Sequence, residues 1–97
     1  MKRDKSRPAD GPIVLRLYVS GSAPNSVQAI VNIKAICASH YAEASLEVVN
    51  LLENPGQAFA DGIIVTPTLI KMSPPPVRRV VGNLSQTSQV MIALGTK

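Results

Sequence analysis

Three consecutive prolines, Pro74 to Pro76, stand between two short β-branched runs, Thr68–Met72 and Val77–Val81. Proline has no backbone N–H and cannot donate to a β-ladder, so Ser73–Pro76 must be a connection or a sheet edge. The flanking runs therefore read as two strands joined through the prolines. Thr66-Pro67-Thr68 opens the first, and Gly82-Asn83 supplies turn chemistry after the second. Any fold for this chain must place two short strands around that joint.

Upstream, Ile13–Val19 is an apolar, β-branched run and reads as a strand buried on at least one face. "SGSAPNS" follows as a turn, with Asn25 or Ser26 available to cap a helix. Val27, Ile30, Ile33, Cys37 and Tyr41 then recur at helical spacing with Ile36 alongside, while Gln28 and Lys34 face away. That is an amphipathic helix of about four turns. Leu46–Leu52 reads as a second strand, and the unit is expected to be a right-handed parallel crossover. Asn54-Pro55 can open a short helix that Gly62 ends. The segment after Ser85 stays open. As a helix it groups Val90, Met91 and Leu94; as a strand it groups Val90, Ile92 and Leu94. Periodicity does not arbitrate so short a run. The helical choice yields β-α-β-α-β-β-α, which is similar to the layout of thioredoxin. In that fold a cis-proline commonly precedes the third strand; here the position is Pro67.

At 97 residues the chain is expected to hold one domain, residues 12–97, after a tail at 1–11. In the tail Lys2, Arg3, Lys5 and Arg7 outnumber Asp4 and Asp10, with almost no apolar residue, so disorder is expected there. The remainder is only mildly basic, which argues against nucleic-acid binding. Tyr18, Tyr41 and Phe59 are the only aromatics, so the core must be aliphatic. A single cysteine, Cys37, excludes an internal disulfide and suits a reducing, cytoplasmic location. No apolar run approaches the roughly 20 residues that span a bilayer, and neither a membrane anchor nor a signal peptide is expected.

Catalytic chemistry finds little support. A thioredoxin-type redox centre needs C-x-x-C where the first strand meets the first helix; this chain has Ala23-Pro24-Asn25-Ser26 there. Cys37 falls on the apolar stripe of the helix and reads as a small buried hydrophobe. His40 has no partner at ligand spacing except Glu43, so no metal is expected. Phosphate-loop and dinucleotide motifs are absent, and so are cofactor expectations. The basic set Lys71, Arg78 and Arg79 reads either as solvated strand residues or as a partner-binding patch. Neighbouring strand residues point to opposite faces, so Arg78 and Arg79 cannot serve one surface.

"LYVSGSAPNSVQAI" (17–30), "NLLENPGQA" (50–58) and "VTPTLIKMSPPPVRRVVGNLS" (65–85) resemble the KaiB family of bacterial clock proteins over about Ile13 to Leu94. The resemblance implies an α/β, thioredoxin-like KaiB family domain. Its βαβ N-terminal half is constant and its C-terminal half switches fold. In a ground-state dimer or tetramer the third and fourth strands become helical and the last helix becomes a strand; a rarer monomer is thioredoxin-like throughout. Of the two, the resemblance favours the ground state, because that form dominates in the family. It further implies a non-enzymatic regulator that binds a KaiC-type ATPase and modulates its phosphorylation cycle. The alternative is a redox-inactive adaptor or sensor module for a histidine kinase or a stress-response partner. Lys71, Arg78 and Arg79 match basic positions of the family pattern and are the expected partner contacts; Pro67, Pro74, Pro75, Pro76 and Gly82 are the expected hinges. The chain departs from that pattern at Gln28 and Gly62, where the family commonly has basic residues, and at Asn83, where it has an aspartate.

Overall fold

In a computed structural model of the protein, which describes residues 12–95, the Ile13–Val19 run forms strand β1 (Val14–Val19). Next come α1 (Pro24–His40), β2 (Ser45–Asn50), α2 (Pro55–Ala60), β3 (Thr68–Ser73), β4 (Arg78–Val81) and α3 (Thr87–Leu94). The expected tail at 1–11 lies outside the described residues. One sheet runs β2-β1-β3-β4. β1 pairs in parallel with β2 and antiparallel with β3, and β3 pairs antiparallel with β4. The proline triplet is the β3–β4 connection. The peptide bonds Thr66–Pro67, Ser73–Pro74 and Pro75–Pro76 are cis.

Strand alternation divides the core into two layers. Leu15, Leu17, Val19 and Leu69 face α1 and α3, where Ala29, Ile33, Ile36, Val90 and Leu94 complete an aliphatic cluster. Tyr18, Val49 and Ile70 face the other way and pack with Ala58 of α2. Helices cover both faces of the centre, so Thr68 to Lys71 are buried without interruption. A strand buried on both sides loses the apolar–polar alternation of a half-exposed one.

Several boundaries differ from the sequence expectation, each for a local reason. Helix α1 begins at Pro24, with Ala23 at its N-cap and no side-chain cap. The Ser26 hydroxyl is used elsewhere: it accepts the Ser20 amide at 3.0 Å and ties the turn to the helix. The buried stripe is consequently Ser26, Ala29, Ile33 and Ile36, and Val27 is 46% exposed. Strand β2 stops at Asn50 instead of Leu52, because Asn50 Oδ1 accepts the amides of Gly21 and Leu52 and turns the chain.

The undecided last segment is a helix. Val90 and Leu94 close the α1 face of the sheet, Met91 packs beside them, and Gln86 is the N-cap. The protein therefore takes the thioredoxin-like arrangement throughout, and not the ground-state arrangement that the resemblance favoured. The physical reason is β3: paired on both edges, it needs a helical layer on both faces, and α3 supplies one. The bend into α3 is shaped by Gly82 at φ +119° and Leu84 at φ +65°. A leucine in the left-handed region costs about 1–2 kcal/mol, which the burial of its side chain in the α1/α3 core offsets.

Leu69→Ala, at a fully buried site, is expected to lower unfolding free energy by about 2–5 kcal/mol in urea titration. Ile92→Ala, on the outer side of α3, is expected to change it by less than about 0.5 kcal/mol.

Candidate functional site

The end of the sheet where a thioredoxin carries its cysteines is built here from backbone and hydroxyls. β1 delivers the chain to Ser20–Gly21, and the Ser26 and Asn50 side chains hold that loop against α1 and β2. β3 starts at the same end, since Thr68 lies opposite Tyr18. Pro67 is buried, and its carbonyl accepts the Gly82 amide at 3.0 Å, so the entry to β3 is joined to the exit from β4. Asn83 completes the corner. Its carbonyl accepts from Asn32 of α1 at 2.8 Å, and its Oδ1 accepts the Ser85 amide at 3.0 Å. The amide performs the turn-closing role open to an aspartate at this position. Exposed Val65 and Val81 border the corner, and the preceding Ile64 is 94% exposed. Such a surface can bind through apolar and backbone contacts. It holds no sulfur for thiol exchange: Cys37 is at the opposite end of α1, half-buried, and burial pushes its thiol pKa up, away from the reactive thiolate.

The expected site residues divide between the two ends of the sheet. Pro67 and Gly82 meet at the corner just described. Lys71, Arg78 and Pro74–Pro76 lie toward the other end, at the β3–β4 turn. Lys71 and Arg78 are cross-strand partners and share the α1/α3 face, whereas Arg79 stands opposite Ile70 on the α2 face. Of the three basic residues only the two arginines are exposed. Lys71 is 5% exposed, and its ammonium donates to the Leu94 carbonyl at 3.1 Å. A cation at the last carbonyls of a helix also meets the negative end of its dipole. The Tyr41 hydroxyl donates to the Gly95 carbonyl at 3.2 Å, so two side chains hold the end of α3. Arg79 donates to the backbone carbonyls of Asp61 and Gly62, just beyond α2.

A second charged group was not legible in the sequence, because its members lie far apart in the chain. Arg16 of β1 donates to Glu47 Oε1 at 2.9 Å and to Asp61 Oδ2 at 3.0 Å. The Tyr18 hydroxyl lies 2.6 Å from the same Asp61 oxygen and 3.3 Å from the Gln57 carbonyl. Its single proton belongs to the nearer, charged acceptor. The Tyr18 hydroxyl is the main influence holding the Asp61 carboxyl below its usual range; burial opposes it, and the Arg16 guanidinium adds to it. Burial and the same carboxylate push the Tyr18 phenol up. The one available signal was an arginine in the middle of an apolar strand.

Among the described residues no helix is long and apolar enough to cross a membrane, and no group of His, Cys, Asp and Glu could hold a metal ion. The fold and its sulfur-free corner define a thioredoxin-like domain in which Ala23-Pro24-Asn25-Ser26 stands at the redox position. The N-terminal domain of SasA from Synechococcus elongatus is similar at TM-score 0.73 and 25% identity, covering 97% of this chain and 93% of that one. Trichomonas vaginalis thioredoxin is similar at TM-score 0.68 and 16% identity over 89% of this chain and 78% of that one, a likeness of fold alone. The family model of the KaiB domain matches residues 16–96. The circadian clock protein KaiB3 of a Synechocystis species is 45% identical over 83 residues, 84% of this chain and 81% of that protein. The circadian clock oscillator protein KaiB of Gloeothece citriformis is 45% identical over 82 residues, 84% of this chain and 77% of its own length. The chain belongs to the KaiB family of circadian clock proteins.

Two outcomes follow from these contacts. Asp61 has a depressed folded-state pKa, so its stabilisation is complete above the unfolded value of about 3.9 and is lost as pH falls through the folded value. Carboxyl NMR titration is expected to place Asp61 below about 3.9 and to show it rising in Tyr18→Phe. Lys71→Met keeps the apolar stem and removes the cation from Leu94, and is expected to cost about 1–3 kcal/mol in urea titration.

Proposed function

We propose that the protein is a non-enzymatic regulator that docks, in its thioredoxin-like arrangement, on a KaiC-type ATPase and modulates that partner's phosphorylation cycle. The observation that carries this reading is the 45% identity to KaiB clock proteins across 84% of the chain. The fold adds support, since the resemblance to the KaiB family implies that its rarer, thioredoxin-like monomer is the form that binds the ATPase. In this reading the exposed Arg78 supplies contact charge, while Lys71 and Arg79, engaged with backbone carbonyls, keep α3 and α2 in place beside it. The chain acts in the cytoplasm. A homo-oligomer with the other C-terminal arrangement stores it in a form that does not bind. Pro67, Pro74–Pro76 and Gly82, which flank β3 and β4, are the joints of that rearrangement.

A second reading is favoured by the similarity to the SasA N-terminal domain: a redox-inactive adaptor or sensor module whose partner is a histidine kinase. Size exclusion with a KaiC homologue and ATP separates the two. The first reading expects an ATP-dependent shift of the protein into the ATPase fraction, weakened about tenfold or more by Arg78→Glu. A protein that never co-elutes with the ATPase, yet is retained by a histidine kinase, supports the second.

A further inference from the structure

Helix α2 is held in place by little of its own. It has six residues, no side-chain cap at Asn54, and one buried side chain, Ala58. Its own Phe59 and the Ile64 that follows it point away from the protein, 88% and 94% exposed. Yet α2 covers the second face of the sheet, where Tyr18, Val49 and Ile70 are buried with Leu51, Ile63 and Met72 at their margin. What fastens it is a set of polar contacts at its C-terminal end. The Asp61 carboxylate accepts from Tyr18 and Arg16 of β1, Glu47 of β2 holds Arg16 from its other side, and Arg79 of β4 grips the carbonyls of Asp61 and Gly62. Asp61 is the one member that contributes both its side chain and its backbone to these contacts.

Proteins open locally where buried apolar contacts are few, with free energies well below that of global unfolding. We propose that residues 54–65 form a strap that lifts from the sheet as a unit, with Asp61 as its clasp, while β1, α1 and β3 stay folded. Opening bares the Tyr18, Val49 and Ile70 face without disturbing the aliphatic core on the other side. The two layers share only the sheet, so losing the thin one leaves the β1–β3 ladder and the α1/α3 packing intact.

Amide hydrogen exchange on the full chain at neutral pH tests the strap. The Ala58, Asp61, Gly62 and Ile63 amides are all bonded within residues 54–63. In the native protein they are expected to exchange together, and faster than those of Leu17 and Leu69. Asp61→Asn keeps the shape and removes the charge; it is expected to speed these four amides by about tenfold to a hundredfold and leave Leu17 and Leu69 unchanged. Tyr18→Phe keeps the ring in the core and is expected to speed the same four amides by a smaller factor, which preserves the test should the first variant not fold. Phe59→Ala, on the outer side, is expected to change nothing. The strap is excluded if the four amides exchange at the β1–β3 rate in the native protein. Equal acceleration of all amides by either clasp variant, or none, also excludes it.

Discussion

Strand β3 is hydrogen-bonded on both edges and covered on both faces, and the whole C-terminal half is arranged around that burial. Its pairing with β1 runs antiparallel from Thr68 opposite Tyr18 to Ser73 opposite Val14. β2 ends and β3 begins at the same end of the sheet but on opposite sides of β1, so the chain must first be carried across β1, which is what α2 and its following loop do. The prolines then return it as β4 on the outer edge. Once four strands are in place, the exposed aliphatic face needs a second helix beside α1, and the last segment has no other use for Val90 and Leu94. The fate of residues 87–94 is thus decided by packing on the sheet and α1 and by side chains such as Lys71 and Tyr41, 23 and 54 residues back from their partners Leu94 and Gly95. Local periodicity is silent about such contacts.

The two faces are held by different physics. The α1/α3 side is a continuous aliphatic layer, where each buried leucine or isoleucine contributes on the order of 1.5–3 kcal/mol. The α2 side has a smaller apolar patch and relies on a carboxylate. The Arg16 pairs are half-exposed, and ion pairs of that kind contribute about 1 kcal/mol or less. The Tyr18–Asp61 bond is short, charge-assisted and more deeply placed, so it dominates. The pKa of Asp61 reflects the same order of causes. Lys71 shows a third solution: a buried ammonium tolerated because a helix end receives it.

Much of this could be read from residue order. The β1-α1-β2 unit, the short helix after Asn54-Pro55, the two strands around Pro74–Pro76 and the empty redox position all stand where the sequence placed them. The errors have identifiable physical sources. Asn25 and Ser26 are good capping residues, but the Ser26 hydroxyl is spent on the Ser20 amide and Pro24 starts the helix unaided. Val27 fits the helical stripe by spacing and still faces solvent, because the buried stripe is centred on Ala29 and Ile33. Lys71 looked like a surface cation and lies inside, since Leu94 becomes its neighbour only when α3 docks. Asp61 carried no local signal at all; its partners on β1 are 43 and 45 residues away.

The chain belongs to the KaiB family of clock proteins, and its shape depends on which side of β1 the second half of the chain lies. Backbone NMR of the monomer isolated by size exclusion tests this most directly. The expected result is cross-strand NOEs between Arg16 and Ile70 and between Tyr18 and Thr68, with helical carbon shifts across Thr87–Leu94. Helical shifts across Thr68–Val81, extended shifts across Thr87–Leu94 and no NOEs from β1 to that segment would contradict it.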